Sequence, residues 1–153
     1  MRTSKLIRSA TLDDVARVVE LGLRFYGEEG GRPASPKALA SFMLSHIGVP
    51  DRVLLISGEP IAAGLCGMIA PHYLTGEPTA FKTAWYAIPE ARGYGAHLLR
   101  AFEAWAKAKG ARRLIVAGRS ERTLALLERL HFQPLETVYS KDLPWQKQPF
   151  PSS

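Results

Sequence analysis

Apolar and polar positions along the chain sort into short strands separated by helices. Leu6-Ile7-Arg8 reads as an opening strand. Thr11 then supplies a helix cap, with Asp13 and Asp14 in the first turn, where the dipole favours acids. Val15, Val18, Val19 and Leu23 recur at helical spacing and predict a helix to about Tyr26, ended by Gly27. Residues 27–36 (GEEGGRPASP) are loop by composition. Ser35 and Pro36 cap and open a second helix with Leu39, Phe42, Met43 and Ile47 on one face. Val53–Ile56 and Ile61–Ile69 are buried-type strands joined through a turn at Gly58-Glu59. Residues 70–78 form a loop or the splayed end of a hairpin, and Thr79–Ile88 is the next strand. Pro89 breaks it, a glycine-rich loop follows, and an amphipathic helix runs to Lys109. Arg113–Ala117 is another strand, and Ser120 caps a helix, Glu121–Leu130, with Leu124, Leu127 and Leu130 on one stripe. Leu135–Lys141 reads as a closing strand. Alternating strands and helices without repeats predict one α/β domain over residues 1–143, a sandwich around a mixed sheet, with a polar, proline-containing tail over 144–153.

The loop Arg92-Gly93-Tyr94-Gly95-Ala96-His97 carries the chemistry. Two glycines allow close approach of a ligand to the backbone, and positive φ where a side chain would clash. The helix that follows points unpaired N–H groups and its positive dipole end into the loop, which suits a phosphate or pyrophosphate. The Lys-Ser/Thr pair of a Walker loop is missing. So is the third glycine of a dinucleotide fingerprint.

In its place after a strand and before a helix, the loop resembles the acyl-CoA pyrophosphate loop of the GNAT superfamily of N-acetyltransferases, Q/R-x-x-G-x-G/A. Arg92, Gly93, Tyr94, Gly95 and Ala96 fit, and His97 replaces the last small residue. The flanking Trp85-Tyr86-Ala87-Ile88-Pro89-Glu90-Ala91 and the helix after the loop also look like the family, above all its small phage and bacterial members. The resemblance extends to Leu143. It implies a mostly antiparallel mixed sheet flanked by helices, and acetyl-CoA as acyl donor to a small-molecule or protein amine by direct attack. It also implies donor contacts from Trp85, Tyr86, Ala87 and Ile88, from Arg92 to His97, and from Ser120. On the acceptor side it implies Tyr26, Glu28, Glu29 and His72, although Glu28-Glu29 and His72-Tyr73 also read as a solvated loop and a partly exposed packing pair.

Two family positions depart from the pattern. Leu127 stands where many relatives carry a proton-donating tyrosine, with Ser120 for asparagine and His131 for glycine in the same segment; Lys82 stands where phage-type relatives often carry a glutamate. Tyr139 and Tyr73 are the replacement acids expected, with His72 and His131 also in reach of such a role. The alternative to an enzyme is a catalytically degenerate CoA-binding module with a structural or regulatory role.

Composition narrows this further. A net charge of +6 and a pI near 9.7 fit an anionic cofactor or, as a third reading, nucleic acid, but no basic run is interleaved with stacking aromatics, and charge alone does not make a nucleic-acid protein. No apolar run suits a membrane span, and Met1–Lys5 lacks a signal peptide's apolar core. The single cysteine, Cys66, has small and apolar neighbours, reads as a buried strand thiol, and fits a cytoplasmic setting. No His, Cys and carboxylate spacing suits a metal. A homodimer is left open.

Overall fold

The computed structural model describes residues 6–29, 33–91 and 93–144. Its backbone forms two compact units that divide between Ala117 and Gly118. The first holds a five-stranded sheet in sequence order: β1 (Ile7–Ser9), β2 (Arg52–Ser57), β3 (Ala63–Pro71), β4 (Pro78–Ala87) and β5 (Arg113–Ile115). β1 to β4 are antiparallel, and β4 and β5 run parallel. Short turns join β2 to β3 and β3 to β4, the long connection from β1 to β2 carries two helices, and the parallel pair needs a crossover, which α3 (Tyr94–Ala108) supplies. Among the described residues no helix is long and apolar enough to cross a membrane.

Strand alternation divides the core. Leu54, Ile56, Cys66 and Tyr86 point to one face, where they meet Val18 and Leu21 of α1 (Val15–Glu29) and Leu39 and Met43 of α2 (Pro36–Leu44). The other face takes α3, whose Phe102 lies directly on Gly67. Cys66 is fully buried beside Met43 (Sγ to Sδ 3.6 Å), and burial pushes its thiol up to about 12, so it stays protonated and inert.

Several elements begin as expected. The Ser35 hydroxyl accepts the Ala38 N–H at 3.2 Å with Pro36 in the first turn of α2. Thr11 opens a short 3₁₀ turn, Leu12–Asp14, in which the Asp14 carboxylate accepts the Thr11 N–H at 2.8 Å. Arg8 grips the same carboxylate with both guanidinium nitrogens, at 2.7 and 2.9 Å. Arg8 first, then the Thr11 amide, holds the Asp14 carboxyl at about 2. The folded value lies below the usual carboxylate range. The stability it supplies is therefore complete above about pH 4 and lost as pH falls toward 2. Asp14→Asn is expected to cost about 1–2 kcal/mol at neutral pH. Denaturation at pH 7 and pH 2 checks this: the gap between wild type and variant should close at the lower pH.

Two expectations are corrected. Gly27 does not end α1, which continues to Glu29, so Glu28 and Glu29 belong to its last turn rather than to a loop. A single glycine costs a helix only about 1 kcal/mol, which the helix's packing on α2 and β4 can offset. Nor does Leu135–Lys141 form a strand: residues 133–144 have no ladder partner among the described residues, and their side chains are exposed. Alternation alone cannot make a strand without an edge to pair with. In this second unit α4 (Glu121–Arg129) is capped as expected, the Ser120 hydroxyl accepting the Thr123 N–H at 3.1 Å. Leu127 is buried over Gly118, Leu124 is exposed, and His131 closes the helix with φ 68°.

Candidate functional site

Two features of the first unit converge between β4 and α3. The first is the start of α3. Gly93 is its N-cap and lends no side-chain hydrogen bond, whereas α2 and α4 are capped by serines. Its backbone is ordinary right-handed helix, φ −61°, and Gly95 has no positive φ either, so neither glycine serves an unusual backbone conformation. The expectation of left-handed backbone in this loop is thereby corrected. A Cβ on Gly93 would meet none of the described residues within 4 Å, and one on Gly95 would lie 3.4 Å from the Trp85 indole, an ordinary packing distance. Gly95 thus rests against β4, while Gly93 puts no side chain of its own before the first amides of the helix. A phosphate fits that arrangement.

The second feature is the parting of β4 from β5. The two strands pair from Thr79 opposite Arg113 to Phe81 opposite Ile115, and β4 then continues to Ala87 with no ladder partner on that edge among the described residues. On its other edge β4 follows β3, with a bulge: Cys66 is opposite Ala84 but Gly67 is opposite Lys82, so Thr83 is the extra residue. The bulge exchanges the backbone parity. Before it, Pro78 O accepts from Arg112 N–H at 2.8 Å, so even-numbered residues turn toward β5. After it, Ile88 N–H donates to Ala62 O at 3.0 Å, so Ile88, Tyr86 and Ala84 turn toward β3. Trp85 and Ala87 therefore direct their N–H and C=O groups to the opposite edge. Lys82 reaches across the parting, its ammonium donating to Ala117 O at 2.8 Å; burial lowers its pKa.

The sequence model of the Acetyltransferase (GNAT) family matches residues 19–132. The chain belongs to the GNAT family. No curated protein matches it in sequence. Solved structures share its fold. A probable acetyltransferase is 17% identical with TM-score 0.72, covering 97% of this chain and 100% of its own. An integron cassette protein from the Cole Harbour Salt Marsh metagenome is 21% identical with TM-score 0.75, covering 92% and 91%. A transcriptional regulator from Bacillus halodurans C-125 is 20% identical with TM-score 0.74, covering 93% and 100%. At such identities the likeness is one of fold alone.

Within this GNAT fold the expected site residues fall into groups. Trp85, Tyr86, Ala87 and Ile88 lie on or just beyond β4, and Gly93 to His97 open α3. Tyr86 is buried and its hydroxyl donates to Val18 O at 3.2 Å, which ties β4 to α1. Arg92 and the side chains of Tyr26, Glu28 and Glu29 lie outside the described residues. His72 and Tyr73 sit in the β3–β4 hairpin, at the other end of β4 from the glycine loop, about 30 Å away at strand rise. There they stack on each other at 4.8 Å, the His72 Nδ1 accepts the Leu74 N–H at 3.2 Å, and Tyr73 is 87% exposed. In the second unit, Ser120 is a helix cap and Tyr139, 89% exposed, lies in the unpaired stretch. Among the described residues no cluster could hold a metal ion. A cleft of about 440 Å³, lined by Ser9, His46, Arg52, Trp105 and Lys109 among others, lies at the far end of α3 from the loop.

Sequence reasoning missed one polar pair. His46, just after α2 and only 3% exposed, reaches Thr83 at the bulge, with Nε2 and Oγ1 2.9 Å apart. A histidine after an apolar helix face is a faint signal, and its partner lies 37 residues away.

Proposed function

We propose that this GNAT protein transfers the acetyl group of acetyl-CoA to a primary amine, of a small molecule or a protein, by direct attack in a ternary complex. The observation that carries the reading is the glycine N-cap of α3, which puts no side chain of its own before the helix, beside the edge of β4 that has no ladder partner past Phe81 among the described residues. The amides from Gly93 to His97, with Arg92, would hold the pyrophosphate. Trp85 and Ala87 would offer backbone N–H and C=O groups along the donor's arm, and an amide aimed at the thioester oxygen is worth roughly 3 kcal/mol in acyl transfer. Tyr86 would hold that strand in place, and Ser120 the start of α4. Tyr26, Glu28, Glu29 and His72 are proposed for the acceptor side. The buried, protonated Cys66 excludes itself as an acyl carrier and suits a reducing cytoplasm.

For the proton we propose water. Leu127 is a buried packing residue, and Tyr139 and Tyr73 are both almost wholly exposed. Tyr139→Phe and Tyr73→Phe should each keep more than about half of kcat, since water can stand in for a positioned acid whose loss would otherwise cost about 10²–10⁴. A hundredfold fall confined to Tyr139→Phe, with acetyl-CoA affinity unchanged, would identify that phenol as the acid instead.

A second reading, a CoA-binding module without turnover, draws on Leu127 and on Lys82, which occupies the family's carboxylate position and spends its ammonium on Ala117. Both readings require binding. Acetyl-CoA at a hundredfold its Kd should stabilise the fold by about 2.7 kcal/mol, read as a rise in Tm. No rise at millimolar acetyl-CoA would reject both.

A further inference from the structure

The pair formed by His46 and Thr83 does more than fill the core. Phe42 O lies 2.8 Å from the His46 Nδ1, and a carbonyl can only accept, so Nδ1 carries the proton. In the neutral ring Nε2 then has a lone pair, and the Thr83 hydroxyl must donate to it. Burial lowers the His46 pKa, with Arg52 nearby adding to the effect, which keeps the ring neutral. The Phe42 ring packs tilted against the imidazole, with centroids 4.5 Å apart, so the ring has a packing partner as well as partners at both nitrogens.

Thr83 is the residue without a partner in the β3–β4 register. If the bulge were lost and Thr83 drawn into the ladder, both sides of the strand after it would be exchanged: Ala84 and Tyr86 would turn outward in place of Trp85 and Ala87. The Tyr86 hydroxyl would leave Val18, and Trp85 would leave the underside of Gly95. Alternation alone does not say where the extra residue goes; a side-chain bond from a fixed element does.

We infer that His46 is a positioning residue for acyl transfer, pinning the β4 bulge through Thr83 so that Trp85 and Ala87 face the donor. The inference rests on the function proposed above for its catalytic consequence, but the pin itself does not.

Thr83→Val keeps the shape of the side chain and removes the hydroxyl; Thr83→Ser keeps the hydroxyl. In Thr83→Val the amides of Ala84 and Tyr86 should exchange hydrogen at least about tenfold faster than in wild type, with Thr83→Ser close to wild type. With an accepted amine, kcat should fall about tenfold or more in Thr83→Val and KM for acetyl-CoA should rise with it, while Thr83→Ser stays close to wild type in both, because the displaced edge serves the donor's arm and Trp85 supports Gly95. Adding His46→Leu should make little further difference, since the two side chains act as one unit. Wild-type exchange in Thr83→Val, or faster exchange with unchanged kcat, would overturn the inference. If His46→Leu fails to fold, the valine and serine variants decide alone. If wild type transfers no acetyl group, the function proposed above falls, and the exchange rates still decide whether Thr83 holds the bulge.

Discussion

Gly93→Asp is expected to abolish acetyl-CoA binding while leaving the protein as stable as wild type, or more so by up to about 1 kcal/mol. The two effects have opposite signs because they come from one feature. Gly93 caps α3 without a side-chain bond, and a Cβ there meets none of the described residues within 4 Å. A carboxylate at that point gains from the helix dipole, and none of the described residues obstructs it. It also puts negative charge before the helix, where a pyrophosphate would need the same amides. The Tm rise induced by acetyl-CoA should vanish, and kcat/KM should fall by at least a hundredfold. Gly93→Ala, which adds bulk without charge, should fall between. Full ligand-induced stabilisation in Gly93→Asp would place the donor elsewhere.

The largest loss of stability is expected at Gly67. A Cβ on this residue would fall 2.1 Å from the Phe102 ring, and Phe102 is 0% exposed, so the ring has nowhere to swing. Either the ring leaves its rotamer or α3 lifts from β3. Overpacking of this kind costs about 1–3 kcal/mol for one methyl and more for a branched side chain. Gly67→Ala should therefore lower unfolding free energy by about 2–3 kcal/mol, and Gly67→Val should leave little folded protein. Pairing Gly67→Ala with Phe102→Leu should recover part of the loss, because the two sites share one space. A cost below about 0.5 kcal/mol for Gly67→Ala in urea denaturation would mean that α3 is not seated there. The glycine loop rides on α3, so Gly67→Ala should also weaken acetyl-CoA binding.

Elements whose signal is local were legible from residues alone. Val15, Val18 and Val19 in one helix and Leu39 and Met43 in the next repeat at helical spacing, and Ser35 and Ser120 cap the helices that follow them, because caps and amphipathic faces are written within a few residues. The five strands were legible too, within two residues or so at their ends. Properties decided between distant segments were not. The bulge depends on a histidine from another element, and nothing around Thr83 announces it. Gly67 is small because Phe102 needs its place, which no reading of β3 by itself reveals. The glycines at 93 and 95 point to the loop, yet neither needs positive φ, and Gly93 contributes by carrying no side chain before the helix. Leu135–Lys141 carried strand alternation yet pairs with nothing among the described residues, because pairing belongs to the neighbour as much as to the segment.

The central claim is transfer, not only binding, and one measurement separates them. Wild-type protein would be incubated with isotope-labelled acetyl-CoA and a pool of primary amines and lysine-bearing peptides. Released CoA thiol would be followed alongside mass spectrometry of the pool. The account predicts thiol release matched mole for mole by label in an amide of at least one amine, absent in Gly93→Asp. Tight acetyl-CoA binding with no labelled amide from any amine would contradict it and leave a CoA-binding module.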